Sequence, residues 1–396
     1  MAGLVYLDNA ATTPLDPRVV LAMQPYFDAV FGNPSSLHWA GREAHEGLAA
    51  ARRQVAGLLR AQPEEIIFTG SGTEADNLAL VGVIEALGQR ENHLITSSIE
   101  HPAILETSRY LERRGVEVTY LPVDGDGLVD PAELARALRP STRLVSIMAA
   151  NNVVGTLQPV HELGHIAHEY GVLFHTDAVQ AAGKIPLDVR VQHIDLLSLS
   201  AHKLHGPKGV GALYVRAGVS LAPLIHGGGQ ERGLRSATEN VAGIVGLGCA
   251  ADIAREEMSA EAARLVNFRD QIIEAVTRDV QGAYLIGHRY RRLPGHICMG
   301  FGGLEGEAIK LLLALDEAGI AASTGSACSA HHSGQPSYIL EAMGFDSFRA
   351  RGSLRVTLGR FTTQAEVESF LRVLPEAVQT LRPISTYSLQ AAQKGV

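Results

Sequence analysis

Two residues carry the chemistry most directly. Lys203 closes the run Ser198-Leu199-Ser200-Ala201-His202-Lys203, just past an apolar stretch that reads as a buried strand. Upstream, Asp177 closes His175-Thr176-Asp177 after another such stretch. A lysine amine and a carboxylate at the mouths of neighbouring strands are what pyridoxal phosphate chemistry needs: the amine forms a Schiff base, and the carboxylate keeps the pyridine nitrogen protonated so that the ring accepts electrons. A strand-end aspartate also serves as a helix cap, and both readings stand at this level.

Further candidates cluster around these two. Thr69-Gly70-Ser71-Gly72-Thr73-Glu74 follows a strand and opens a helix. Glycines allow close backbone approach and free N–H groups at a helix start attract an anion, so Gly72 and Thr73 read as a phosphate cup or as a tight turn with a threonine cap. Ser200 and His202 can donate to the same phosphate. Gln180 and Asn152 can donate to a cofactor phenolate, or Asn152 can hold a turn. His101, in Glu100-His101-Pro102, can stack on a flat ring and exchange protons near neutral pH, although this chain has 16 histidines and most lone ones are surface residues.

Cys328 lies in a Gly/Ser-rich run, Ser323 to Gly334, which reads as a mobile exposed loop. A thiol there, near His331 and His332, is a candidate nucleophile, against the alternative of an incidental surface cysteine. Cys249 and Cys298 sit in apolar helical and strand runs and read as inert core. His161-Glu162-Leu163-Gly164-His165 matches the zinc-protease pattern H-E-x-x-H, but it lies on a crossover helix away from the crevice and lacks a plausible third ligand. Its histidines are expected on a solvated face, and no resident metal is expected.

The elements that must position these groups alternate. Ile66–Thr69, Leu94–Thr96, Val118–Tyr120, Leu144–Ile147, Val172–His175, Leu196–Leu199 and Gly211–Tyr214 read as strands, with helical patterns over Pro131–Leu138 and Val160–Tyr170. Strand–helix alternation predicts an α/β fold with a mostly parallel central sheet covered on both faces, binding ligands outside the carboxyl ends of the strands. His101, Asn152, Asp177 and Lys203 all fall there. The apolar run Val241–Ala254 reads as a core helix, followed by a separate charged helix, Ile253–Val276. The chain is expected to divide into a large domain over 15–256 and a smaller α+β domain from 1–14 and 257–396, with a frayed polar tail from Ile384. The 396 residues carry a net charge of −8, with 46% hydrophobic and 19% charged residues. No basic block argues for nucleic acid, no apolar run is long enough for a membrane span, and three cysteines argue for a reducing, cytoplasmic setting.

Four segments resemble the cysteine desulfurase family within the class-V aminotransferase group: Tyr6-Leu7-Asp8-Asn9-Ala10-Ala11-Thr12-Thr13-Pro14, Ser200 to Gly209 around the lysine, Gly227 to Asn240, and Ser353 to Arg360. The likeness runs from about Val5 to about Phe370. It implies a fold-type I homodimer that uses pyridoxal 5′-phosphate, with the site at the subunit interface. By resemblance, Lys203 bonds the cofactor and Asp177 holds its pyridine nitrogen. His101 stacks and moves protons, while Gly72, Thr73, Ser200 and His202 hold the phosphate together with Thr238 of a second copy. Arg355 binds the substrate carboxylate, and Cys328 accepts sulfur as a persulfide, in the setting of the longer-loop NifS and IscS subgroup. Val153 replaces a common acidic residue, Gly70-Ser71-Gly72-Thr73 replaces Ser-Gly-Ala-Thr, and His331 and His332 replace smaller residues. The implied reaction converts L-cysteine to alanine and supplies sulfur to an acceptor such as an iron–sulfur scaffold, with Cys328 at most a transient cluster ligand. A selenocysteine lyase or another class-V aminotransferase is the alternative with the same cofactor; a zinc hydrolase or a non-catalytic scaffold are those without it.

Overall fold

A computed structural model describes residues 4–88, 92–325 and 336–393; Cys328, His331 and His332 lie outside them. Its strands in chain order are β1 (Val5–Tyr6), β2 (Ile66–Thr69), β3 (His93–Ser97), β4 (Glu117–Leu121), β5 (Thr142–Ser146), β6 (Leu173–Asp177), β7 (Leu196–Ser200), β8 (Gly211–Val215), β9 (Ala283–Leu285), β10 (His296–Phe301), β11 (Ile320–Ala321), β12 (Ser323–Thr324) and β13 (Ser353–Thr357).

Seven strands form the central sheet in the order β2-β8-β7-β6-β5-β3-β4. All neighbours are parallel except β8, which runs opposite to both β2 and β7. The expected mixed, mostly parallel α/β sheet is therefore present. Alternation along each strand feeds two cores, because successive side chains leave opposite faces. Ile66 and Phe68 of β2 enter one cluster with Leu197 and Leu199 of β7, while Ile67 and Leu196 enter the other. Burying one such leucine or isoleucine contributes about 2 kcal/mol relative to exposure, and burial of both faces explains the near-continuous apolar strand sequences.

The later chain builds a second sheet, antiparallel, in the order β12-β13-β10-β9. Its core includes Ile297, Met299, Val356 and Phe370, together with Val5 and Leu7 from the start of the chain. β1 pairs in parallel with β11. The N-terminal segment thus belongs to the later sheet's core, yet leads straight back to the first sheet's carboxyl edge.

One helix, Val241–Asp279, joins what the sequence reading separates into two. No proline or turn signal interrupts it, and Arg255 pairs with Asp252 one turn earlier across the expected break. Ile244, Leu247 and Ile253 pack in the first core; Leu265, Ile272 and Val276 pack in the second. Gly248 permits close packing on helix Trp39–Leu59: a Cβ there would lie 2.5 Å from Ala51 Cα. The C-terminal helix runs on to Gln393, past the point where fraying is expected. Among the described residues no helix is long and apolar enough to cross a membrane.

Candidate active site

The carboxyl ends of β2, β3, β5, β6 and β7 open into one cavity of about 620 Å³, whose walls include His101, Asn152, Asp177, Gln180, Ser200, His202 and Lys203. Gly72, Thr73 and Arg355 line it as well. Lys203 leaves β7 on a single 3₁₀ turn, Ala201–Lys203. Its Nζ donates to the carbonyls of Ala10 at 2.6 Å and Ala11 at 2.7 Å. These carbonyls belong to a strap held on both sides. The Ala10 N–H donates to Thr357 Oγ1, and Thr13 Oγ1 donates to the His202 carbonyl.

Asp177 is the last residue of β6 and is buried. One carboxylate oxygen accepts from the Val179 N–H at 2.9 Å, so the aspartate also caps the following turn, as its alternative reading has it. Burial pushes its carboxyl up, opposed by His101 and Lys203 nearby. His101 caps helix Pro102–Glu112, its Nδ1 accepting from the Ala103 N–H at 3.1 Å. In a neutral ring the proton therefore sits on Nε2. Burial lowers the His101 pKa, against the pull of Asp177.

Opposite, helix Gly72–Ala86 aims its N-terminus into the cavity. The cap is Ser71, whose Oγ accepts from the Glu74 N–H at 3.0 Å; Thr73 is exposed and left to face a ligand. Gly72 is needed where it stands, because a Cβ there would come within 2.7 Å of Val179 Cγ2. His202, on the same wall, is held neutral: burial and then Lys203 push its pKa down to about 4.

Arg355, on β13, reaches the cavity from the second sheet and is only 1% exposed. It donates to Asp8 Oδ1 at 2.8 Å and to the Asn152 carbonyl at 3.0 Å. Gln180 donates through Nε2 to the Ala10 carbonyl at 3.0 Å. Thr238 is exposed and does not line this cavity of its own chain. Cys328 lies beyond Gly325 in the undescribed segment; Ser323, just before it, lines the cavity.

Sequence reasoning missed Asp8, Asp76 and Lys184 as parts of the site. Asp8 and Asp76 line the cavity, and Asp76 is buried 3.8 Å from His175. Lys184 donates to Gln180 at 3.3 Å, and burial lowers its pKa to about 7. The available signal was charge at small-residue positions: Asp8 stands before Asn-Ala-Ala, and Lys184 follows Ala-Ala-Gly.

The remaining candidates fall elsewhere. His161, His165 and His168 lie exposed on helix Val160–Glu169 and gather around His193, with ring centroids 5.3–5.7 Å apart. Among the described residues no group of three or more His, Cys, Asp or Glu is placed to hold a metal. Cys298 is buried in β10 and its thiol is pushed up to about 11. Cys249 is half-buried and packs against the first core, with its Sγ 3.9 Å from the Arg18 carbonyl.

The cavity suits pyridoxal phosphate on three structural counts. A buried carboxylate at Asp177 requires a cationic partner. The helix start at Gly72, with Ser200 and His202, offers a cradle for a dianion. Arg355 keeps Nε buried without a hydrogen-bond partner among the described residues. Fold and site together define a fold-type I, pyridoxal phosphate-dependent enzyme.

The class-V aminotransferase family profile matches residues 5–370, and the chain belongs to that family. It is 50% identical over 383 residues to a protein named cysteine desulfurase IscS from Dictyoglomus turgidum, covering 97% of this chain and 96% of that one. It is 49% identical to a protein of the same name from Methanosarcina thermophila, covering 96% and 93%. A solved NifS-like protein superposes with a TM-score of 0.89 at 42% identity, covering 96% of this chain and all of that one. A structure described as SspA in complex with cysteine gives 0.80 at 37% identity, covering 91% and 100%.

Proposed function

We propose that this chain is a pyridoxal phosphate-dependent cysteine desulfurase, which converts L-cysteine to L-alanine and passes the sulfur to an enzyme cysteine. The observation that carries this reading is the sharing of one cavity by the Lys203 amine, the buried Asp177 carboxylate and the Arg355 guanidinium. The names of the relatives and the cysteine-bound structural neighbour support the choice of substrate.

Bound here, pyridoxal phosphate supplies an aldehyde for an amine and a ring that takes up the electrons left when the substrate's α-proton departs. Asp177 would hold the pyridine nitrogen, and His101 would lie against the ring. Gly72, Thr73, Ser200 and His202 would hold the phosphate, joined by Thr238 of a second copy. Gln180 and Asn152 would face the phenolate oxygen. Lys203, drawn off the Ala10 and Ala11 carbonyls, is both the attachment point and a base. His101, with its proton on Nε2, has a lone pair committed to the Ala103 N–H and serves as a donor first. Arg355 orients the substrate carboxylate, with Asn152 beside it. Cys328 then takes the sulfur: cysteine plus the Cys328 thiol gives alanine plus a persulfide on Cys328, with no external oxidant. Cys328 then passes that sulfur to an acceptor such as an iron–sulfur scaffold.

The division into 15–256 and 1–14 with 257–396 is part of the proposal, supported by the separate cores of the two sheets. So is the homodimer, supported by the exposed Thr238 and by exposed apolar side chains at Phe27, Phe31, Leu37 and Trp39. A cytoplasmic setting rests on the low cysteine content. Incubation of the holoenzyme with L-cysteine, measuring alanine and sulfide, tests the function. Equal alanine and sulfide release in the presence of a thiol reductant is the expected result; no alanine would refute the reading.

A further inference from the structure

We propose that Asp8 sets the affinity for the substrate carboxylate by occupying Arg355 until that carboxylate arrives. This rests on the reading above that Arg355 receives the carboxylate. Arg355 is almost completely buried, and an arginine removed from water needs a counter-charge. Asp8 is that charge: its side chain is 20% exposed on the cavity wall, with Oδ1 2.8 Å from Arg355 Nη2. Nη1 is taken by the Asn152 carbonyl and Nε has no hydrogen-bond partner among the described residues, so a carboxylate that bridges Nε and Nη2 meets Asp8 on the Nη2 side.

The surrounding backbone explains how such an exchange can occur without loss of the fold. The Asp8 carbonyl accepts from the Tyr6 hydroxyl at 3.0 Å and from the Ala11 N–H at 3.1 Å, and Asp8 bridges to Thr357. The main chain is therefore pinned, while among the described residues the side chain's one hydrogen-bonded contact is its ion pair with Arg355. Two carboxylates on one guanidinium repel each other, so the substrate binds against the loss of the Asp8 contact. Asp8 is placed to act on the carboxylate end of the substrate through Arg355 and is a positioning residue. Its influence falls on ground-state and transition-state binding alike, so it appears in KM and leaves kcat largely unmoved.

The test uses the holoenzyme. Asp8→Asn is expected to lower KM for L-cysteine by roughly tenfold, the scale of one charge-assisted hydrogen bond, with kcat changed less than about twofold. Asp8→Glu, which keeps the charge, is expected to restore a KM near that of the parent. L-Alanine, a carboxylate ligand with no sulfur to lose, should raise the melting temperature more in Asp8→Asn than in the parent. An unchanged or raised KM, or an equal shift with alanine, overturns the proposal. Asp8→Ser carries the same expectations, and loss of folded protein in both Asp8→Asn and Asp8→Ser would assign Asp8 to holding the fold and overturn it too. Arg355→Gln separates the two readings: if alanine stabilises that variant as well as it does the parent, Arg355 is not the carboxylate site and the underlying assignment fails instead.

Discussion

The Nζ of Lys203 sits 2.6 Å from the carbonyl oxygen of Ala10, a residue nearly two hundred positions earlier in the chain. The contact brings the reactive amine of the first sheet onto a strap whose flanking residues Val5 and Leu7 belong to the core of the second. Two backbone carbonyls accept from the one amine and fix where it waits. Lys203→Ala is expected to abolish the covalent cofactor linkage while leaving the fold. Borohydride treatment followed by mass measurement checks this: the parent should gain one reduced cofactor per chain and the variant none.

Cys328→Ser separates cofactor chemistry from sulfur acceptance. The variant should keep the visible absorption of the holoenzyme yet release no alanine from L-cysteine. Alanine at the parent rate would remove Cys328 from the acceptor role.

Glu100 gives a pH dependence with a definite sign. The side chain is buried, accepts from Ser97 Oγ at 2.6 Å and from the Met148 N–H at 3.0 Å, and burial raises its pKa from 4.5 to about 8. The folded state therefore holds a proton that the unfolded chain releases between about pH 4.5 and 8. The stability Glu100 contributes is present below that window and declines as pH rises through it. Glu100→Gln should flatten the decline, so that denaturation midpoints of variant and parent diverge in the variant's favour from pH 5 to pH 8. A gap independent of pH would show that Glu100 is ionised in the native state.

Arg52 and Glu231 form a pair at 2.6 Å with little solvent contact, and Glu231 also accepts from the Phe68 N–H of β2 at 2.8 Å. Arg52→Met removes one partner and strands the other's charge. It should cost about 3 kcal/mol in urea unfolding. A loss below about 1 kcal/mol would mean that water reaches Glu231 and replaces the arginine.

The legible part of the fold was the part built from local pattern. Each of the seven strands of the central sheet is visible as a short β-rich run, and Asp177 and Lys203 stand at the ends of two of them because catalytic groups need the open edge of such a sheet. Gly72 is legible from the glycine-containing turn between β2 and the helix that follows, although its close approach to Val179 is not. What escaped was long-range pairing. Nothing near Asp8 in the sequence announces an arginine at position 355, and nothing near Gln180 announces that its amide donates to the Ala10 carbonyl. The continuity of Val241–Asp279 was hidden differently: its first part is buried nearly all round and its later part along one face only, so an apolar run gives way to a charged one and the pattern reads as two helices.

That continuity has a thermodynamic consequence. At about 1.5 Å of rise per residue, 39 residues make a rod close to 60 Å long, and neither sheet can shed its part of the rod without fraying the other's. The two halves of the molecule should melt as a single cooperative unit, with calorimetric and van't Hoff enthalpies in agreement.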